Sequence, residues 1–384
     1  MAAGAAALSE PLDSAGADWL AAGRIRGMDG LRALAILLVV AGHAAVTHRP
    51  RLDETAVEFL SNLSIGVDLF FVISGFLITT LLLRERNRTG RIDLRSFYAR
   101  RALRIFPAYY AYLAVVFAVQ SAGAADIPAR DWAAAATYTM NFIGRPAWEV
   151  GHAWTLSLEE QFYLLWPFAL LFGDRRSAAR VAVAAISACF VLRWGVLLFR
   201  TDLLPIADTS AFTRMDSIVF GGLLALGVAD PAVRRRLTAA TAPPAAIVGL
   251  LLSLIASLWL GDVSGKFQIG VGLTLNAAII SLLLWAVLVR ANAGRWAWLE
   301  SAPLRALGVR SYSLYLYQQL FLHEGGGPLR TFPLNVGAAV AAAWLSYAVV
   351  ERPLLAARAR LRPAGVRRAA GDASNRSPDA AAVG

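Results

Sequence analysis

The sequence predicts an all-α, polytopic integral membrane protein with about ten transmembrane helices and both termini in the cytoplasm. Three observations carry that expectation. The first is composition. Of 384 residues, 58% are hydrophobic and 16% charged, with a mean hydropathy of +0.55. A soluble domain carries about 25% charged residues, so this chain lacks the polar surface to coat a soluble globule, and it is far too apolar to be disordered. The second is a series of apolar stretches, each near the ~20 residues that cross ~30 Å of hydrocarbon as a helix. The third is where the basic residues fall between those stretches.

In chain order the stretches lie near 29–47, 65–83, 103–120, 154–172, 181–199, 214–229, 244–260, 269–289, 307–323 and 333–350. The sixth is the shortest, and its Gly221-Gly222 pair predicts a close helix contact. Segment 131–143, with Trp132 and Tyr138, is expected at the membrane interface. Residues 1–23 are Ala/Gly-rich with no basic start before an apolar run, so they predict a disordered tail rather than a signal peptide. Residues 362–384 predict a second disordered tail, leaving 24–361 as one membrane domain. No internal repeat is evident, which argues against a repeat-built transporter.

The net charge is +11, and Lys266 is the single lysine. Ten spans sort the connections into two alternating sets. One set, with both termini, holds 27 of the 37 Lys/Arg residues and the other holds 8. The positive-inside rule puts the richer set in the cytoplasm. The charge is thereby accounted for as topology. Nucleic-acid binding is excluded as a reading, because no basic groove interleaved with aromatics accompanies it. The single cysteine, Cys189, excludes a disulfide framework and CxxC-type zinc sites, and no metal site is expected. The chain also lacks GxSxG, GxxxxGK[ST] and a strand-linked GxGxxG.

Charged groups inside spans are costly and mark function or pairing. The first span, GMDGLRALAILLVVAGHA, carries Asp29, Arg32 and His43. At 100° per residue, His43 lies within about 20° of Arg32 and about 16 Å further along the axis. Asp29 falls on the same face. Asp29 and Arg32 can also pair at i, i+3. A second cluster, RSFYARRALRIFPAYY, places Arg101 and Arg104 on one helix face at the cytoplasmic side. Guanidinium groups there suit phosphate, with lipid headgroup anchoring as the plainer role, assigned to Arg100. A third, HAWTLSLEEQFYLLWP, brings Glu159 and Glu160 into the fourth span from outside, on the same side as His43. A carboxylate that orients an imidazole makes a general base. Asp68, in GVDLFFVISGFL, is a further candidate partner. Asp216 belongs with Arg193 and Arg214 in an outer polar set expected to pair internally. His152 is expected at a helix start or loop. His48 and His323 are expected near the outer interface. The aromatic run SYSLYLYQQLF (311–321) is expected to serve packing and interface anchoring.

These blocks resemble the acyltransferase-3 family of bacterial integral-membrane acyltransferases. DGLRALAILLVVAGHA, GVDLFFVISGFLIT, FYARRALRIFPAYY, WTLSLEEQFYLLWP, RMDSIVFGGLLAL and SYSLYLY occur in family order over residues 26–353. The resemblance implies a ten-helix domain in the inner (cytoplasmic) membrane. It also implies transfer of an acyl group, usually acetyl, from cytoplasmic acyl-CoA to a hydroxyl of a cell-surface or secreted carbohydrate or glycolipid. No cofactor is implied beyond acyl-CoA as co-substrate. His43 matches the family's essential histidine and Arg32 the arginine eleven residues before it. Arg101 and Arg104 match its RxxR pair, and Glu159 the acid of its WSLxxE motif, with Thr155 in place of serine. Gln318 stands where the family often has histidine. Some relatives carry a fused extracytoplasmic domain, and none is expected here.

Together these readings give one mechanism. Arg32, Arg101 and Arg104 bind the CoA phosphates, and His43 acts as base or acyl carrier with Glu159 as its orienter. Asp29, Asp68 and Asp216 support them. The competing class is a proton-coupled transporter or flippase of a glycan or lipid-linked precursor, since buried His/Glu pairs also relay protons. A membrane scaffold, with polar residues that only specify packing, is a third.

Overall fold

The computed structural model describes residues 24–47, 53, 57, 60–323 and 327–354. The expected tails at 1–23 and 362–384, and His48, lie outside them. Among the described residues the chain is helical, without strands. Each of the ten apolar stretches contains a helix. We label these α1 Met28–Thr47, α2 Ile65–Thr89, α3 Leu94–Ser121, α4 Ala153–Leu171, α5 Arg175–Phe199, α6 Asp216–Val228, α7 Pro244–Val263, α8 Leu273–Asn292, α9 Ala302–Phe321 and α10 Leu334–Ser346.

Seven helical segments are long and apolar enough to cross a membrane. An eighth span results if α6 and the helix Pro231–Thr241, bent 112° from it, count as one. The two that fall outside this test are α4 and α9. Both are long enough, at 19 and 20 residues, or about 28–30 Å at 1.5 Å per residue. They miss it because of Glu159, Glu160 and Gln161 in one and Arg305, Arg310, Gln318 and Gln319 in the other. A helix surrounded by other helices can carry such residues without exposing them to lipid. At the other extreme is α7, whose apolar window is only 6% buried, against 61% for α2. It forms the lipid-facing flank.

Local chemistry sets the ends. Asp93 caps α3 by accepting a hydrogen bond from Ser96 N (3.0 Å), and Asp174 caps α5 through Ser177 N (2.7 Å). The Ser96 bonds hold the Asp93 carboxyl below its ordinary range. Gly90 ends α2 at φ 73°, a left-handed conformation that glycine adopts without strain. The helix Ala129–Ala136 is too short to span and packs on α3, with Tyr109 and Tyr110 hydroxyls donating to the carbonyls of Ala135 and Ala136.

Two contacts organise the bundle. In the first, α2 crosses α6 at Gly75 and Gly221, each set against the other helix's backbone. A methyl group at Gly221 would overlap the Val72 carbonyl, and one at Gly75 the Ile218 carbonyl. The close contact expected from Gly221-Gly222 is therefore present. Gly221→Ala is expected to lower stability by about 1–3 kcal/mol, read as a lower unfolding midpoint of the purified protein. In the second, α9 packs along α1 with Gly308 against the Asp29 carbonyl. The pairs Asp29–Gly308, Arg32–Ser311 and His43–Gln318 rise together along both helices. Thus α1 and α9 run parallel.

Candidate functional site

A cavity of about 200 Å³ opens between α1, α2, α3, α4 and α9. Five charged residues line it: Arg32 from α1, Arg101 and Arg104 from α3, and Glu159 and Glu160 from α4. Three arginines face two carboxylates, so the formal balance is positive. The i, i+3 spacing of Arg101 and Arg104 points both toward the same space.

Glu159 is the hub. Its two oxygens accept hydrogen bonds from Ser74 Oγ (3.0 Å) and Tyr163 OH (2.9 Å). The Arg101 guanidinium lies over the Tyr163 ring, 3.9 Å from its centroid, within the range of a cation–π contact. Arg32 donates from Nε to Ser311 Oγ (3.3 Å) and has Asp29, Glu159 and Arg101 as charged neighbours. Arg104 faces Glu351, a buried carboxylate beyond α10 that accepts from Ser313. Arg100, by contrast, leaves the cavity to pair with Glu85 (3.1 Å).

His43 does not line this cavity. Its ring meets Trp148 edge-on, 5.7 Å between centroids, and it lies beside Gln318 of α9. Tyr315 links the two regions. It lines the cavity, receives a hydrogen bond from Thr155 Oγ1 (2.7 Å) and packs against the His152 ring at 5.4 Å. The site is therefore layered, with an arginine–glutamate cavity, a Tyr315–Thr155 shelf, and a histidine region beyond it.

Several expected partnerships are redrawn. Glu159 and His43 lie in different parts of the site: Glu159 accepts from Ser74 and Tyr163 in the cavity, while His43 stands outside it beside Trp148 and Gln318. Glu159 lies in the arginine layer of the cavity and not at the level of His43. Asp29 pairs with Arg24 (3.1 Å) rather than Arg32. Asp68 and Asp216 do not line the cavity, whereas the pairing expected of Asp216 with Arg193 is present. Asp216 pairs with Arg193 at 2.7 Å and accepts from Thr274 at 2.7 Å, while Asp68 pairs with Arg214 at 2.8 Å and accepts from Ser217 at 3.0 Å. This network joins α2, α5, α6 and α8 as a structural lock. Arg193 and Asp216 are fully buried. Breaking such a pair strands one charge at a cost of about 3–5 kcal/mol, so Asp216→Ala is expected to lower the unfolding midpoint more than any substitution at the cavity.

Ser74, Tyr163, Ser311, Tyr312 and Tyr315 also line the cavity. The 311–321 run is thus more than packing. A usable signal was the i, i+4 spacing of Glu159 and Tyr163. Nothing in the sequence announced Ser74. No group of three or more His, Cys, Asp or Glu residues able to hold a metal ion occurs among the described residues.

A family model of the acyltransferase domain, type 3, matches residues 25–350. Among curated proteins, the chain is 28% identical over 359 residues to the O-acetyltransferase OatA of Staphylococcus aureus strain NCTC 8325 / PS 47, covering 85% of this chain and 57% of that protein. It is 29% identical over 369 residues to a putative O-acetyltransferase of Staphylococcus aureus strain COL, covering 86% and 57%. The chain therefore spans well under two thirds of the length of these relatives. No solved structure matches significantly.

Proposed function

The chain belongs to the acyltransferase-3 domain family, and from that premise we propose that it is a multi-pass O-acyltransferase of the bacterial inner membrane, with both termini cytoplasmic. It moves an acyl group, acetyl in the simplest case, from cytoplasmic acyl-CoA to a hydroxyl of a cell-surface or secreted carbohydrate or glycolipid. One observation supports this above the others. Arg32, Arg101 and Arg104 converge on one intramembrane cavity, where a polyanionic donor gains charge-assisted hydrogen bonds. At about 200 Å³ the cavity is below the ~300–1,000 Å³ of sites that enclose a whole ligand. It suits the acyl–pantetheine arm, with the phosphates at the arginine-lined mouth.

The arm runs past the Tyr315–Thr155 shelf toward His43. His43 takes the proton of the acceptor hydroxyl as general base. The hydroxyl oxygen bonds to the acyl carbon, the carbon–sulfur bond breaks, and the CoA thiolate leaves with the proton His43 received. Glu159 contributes from a distance. Held by Ser74 and Tyr163, it keeps the Tyr163 ring under Arg101, and so acts as a positioning residue for the donor.

Isothermal titration of acetyl-CoA into the detergent-purified wild type, with CoA as control, tests the reading. Saturable binding with 1:1 stoichiometry is the expected result. A well-folded protein that binds neither molecule refutes the donor assignment and favours a proton-coupled transporter, which has no need of a CoA-phosphate site.

A further inference from the structure

Resting on the acyl-transfer reading, we infer that His152 and Gln318 form, with His43, a subsite that binds adjacent neutral hydroxyl groups of the acceptor. The observation is a concentration of buried polar atoms without well-formed hydrogen bonds. His152 caps the start of α4 and is 4% exposed, yet neither ring nitrogen makes a hydrogen bond of good geometry, although the Gln319 side chain and the Leu316 backbone lie near the ring. Gln318 on α9 is 0% exposed, and its amide lies against His43 without a hydrogen bond of good geometry at either atom. The same holds for His43 Nδ1. Buried polar groups are almost always paired, and each exception calls for an explanation.

The three side chains share one region. Gln318 lies beside His43, and His152 is an electrostatic neighbour of His43. The main chain fixes the arrangement. The His152 amide donates to Gln319 Oε1 (3.4 Å), and Trp148 Nε1 donates to the Gln319 carbonyl (3.1 Å). The His152 ring is held between Tyr112 and Tyr315, each 5.4 Å away between centroids. The rings are thus positioned by packing while their polar atoms are left without a well-formed hydrogen bond, as a preorganised binding site requires.

The chemistry of the set names the ligand class. A neutral imidazole offers one donor and one acceptor, and a primary amide offers donors and an acceptor. A hydroxyl group both donates and accepts. None of the three is Asp, Glu, Lys or Arg, so the set recognises an uncharged diol rather than a carboxylate, phosphate or amine. The aromatic face of Trp148 beside His43 supplies an apolar wall for the C–H face of a sugar ring. The subsite sits beyond the Tyr315–Thr155 shelf, opposite the arginines, so donor and acceptor approach His43 from different directions.

The test uses the full chain in detergent, labelled acetyl-CoA, and three neutral probes: glycerol, methyl β-glucoside and N,N′-diacetylchitobiose. Each is titrated while acetylated product is measured. For a wild type that turns over acetyl-CoA, at least one probe is expected to be acetylated in a saturable way. His152→Leu and Gln318→Leu are each expected to raise that probe's KM at least tenfold while acetyl-CoA Kd stays within about twofold, which also certifies folding. Gln318→His, which restores a donor and an acceptor, is expected to recover KM to within about threefold. Unchanged acceptor KM in both leucine variants overturns the subsite, as does turnover that no neutral probe accelerates. An acetyl-CoA Kd that rises in parallel with acceptor KM assigns these residues to general structure and overturns it as well. A wild type that neither binds nor turns over acetyl-CoA refutes the underlying acyl-transfer reading instead.

Discussion

His43→Ala is expected to abolish acyl transfer while leaving acetyl-CoA affinity within about twofold of wild type. General-base catalysis contributes some 10²- to 10⁴-fold, and the other imidazole beyond the shelf, His152, is held between Tyr112 and Tyr315 in the proposed acceptor subsite. The effect belongs in turnover and not in donor binding, because His43 stands apart from the cavity that Arg32, Arg101 and Arg104 line. The measurement is transfer of label from acetyl-CoA, with titration calorimetry alongside. Full activity in His43→Ala refutes the mechanism. The same assay separates direct transfer from an acyl-histidine relay. A relay leaves labelled acetyl on acid-quenched wild type and none on the variant, whereas direct transfer labels neither.

The helical architecture was legible because hydrophobic runs of about 20 residues have few alternatives to spanning helices. The polar helices α4 and α9 were legible for a different reason, since their charged and amide residues are out of place in lipid. The shared face of Arg101 and Arg104 followed from helical spacing within α3, and that Arg32 joins them was an expectation of the family resemblance. Spacing along one helix cannot give the rotation of a neighbour, and the errors lie there. Glu159 and His43 were expected on the same side, yet Glu159 joins the arginines and turns to Ser74 and Tyr163, while His43 turns to Trp148 and Gln318. Asp68 is drawn away from the cavity by Arg214, 146 positions later in the sequence. Interhelical partners at such separation are set by packing at Gly75, Gly221 and Gly308, where the backbone, not the side chain, defines the contact. His152 illustrates the opposite case. As a sequence position it was only a helix start, and its significance lies in two buried nitrogens without a well-formed hydrogen bond.

The double variant Arg101→Ala/Arg104→Ala is expected to weaken acetyl-CoA binding at least a hundredfold. Hydrogen bonds to charged groups contribute about 1.5–3 kcal/mol each, and two such losses correspond to roughly 10²- to 10⁴-fold in Kd. Arg100→Ala supplies the control. It neighbours the pair in sequence and carries the same charge, but its guanidinium is committed to Glu85 at 3.1 Å. An effect of Arg100→Ala within about twofold assigns the loss to the cavity rather than to the summed positive charge at this end of α3. A comparable loss in Arg100→Ala would instead mean that the arginines only steer an anion toward the membrane surface. Arg101→Lys then divides charge from shape. Lysine keeps the positive charge but cannot reproduce a planar group lying 3.9 Å from the Tyr163 ring centroid. If the phosphates need only charge, Arg101→Lys binds like wild type. If the stacked fork is what aligns the donor, affinity falls between wild type and the double variant. Turnover then falls further than affinity, because a displaced Tyr163 also releases Glu159.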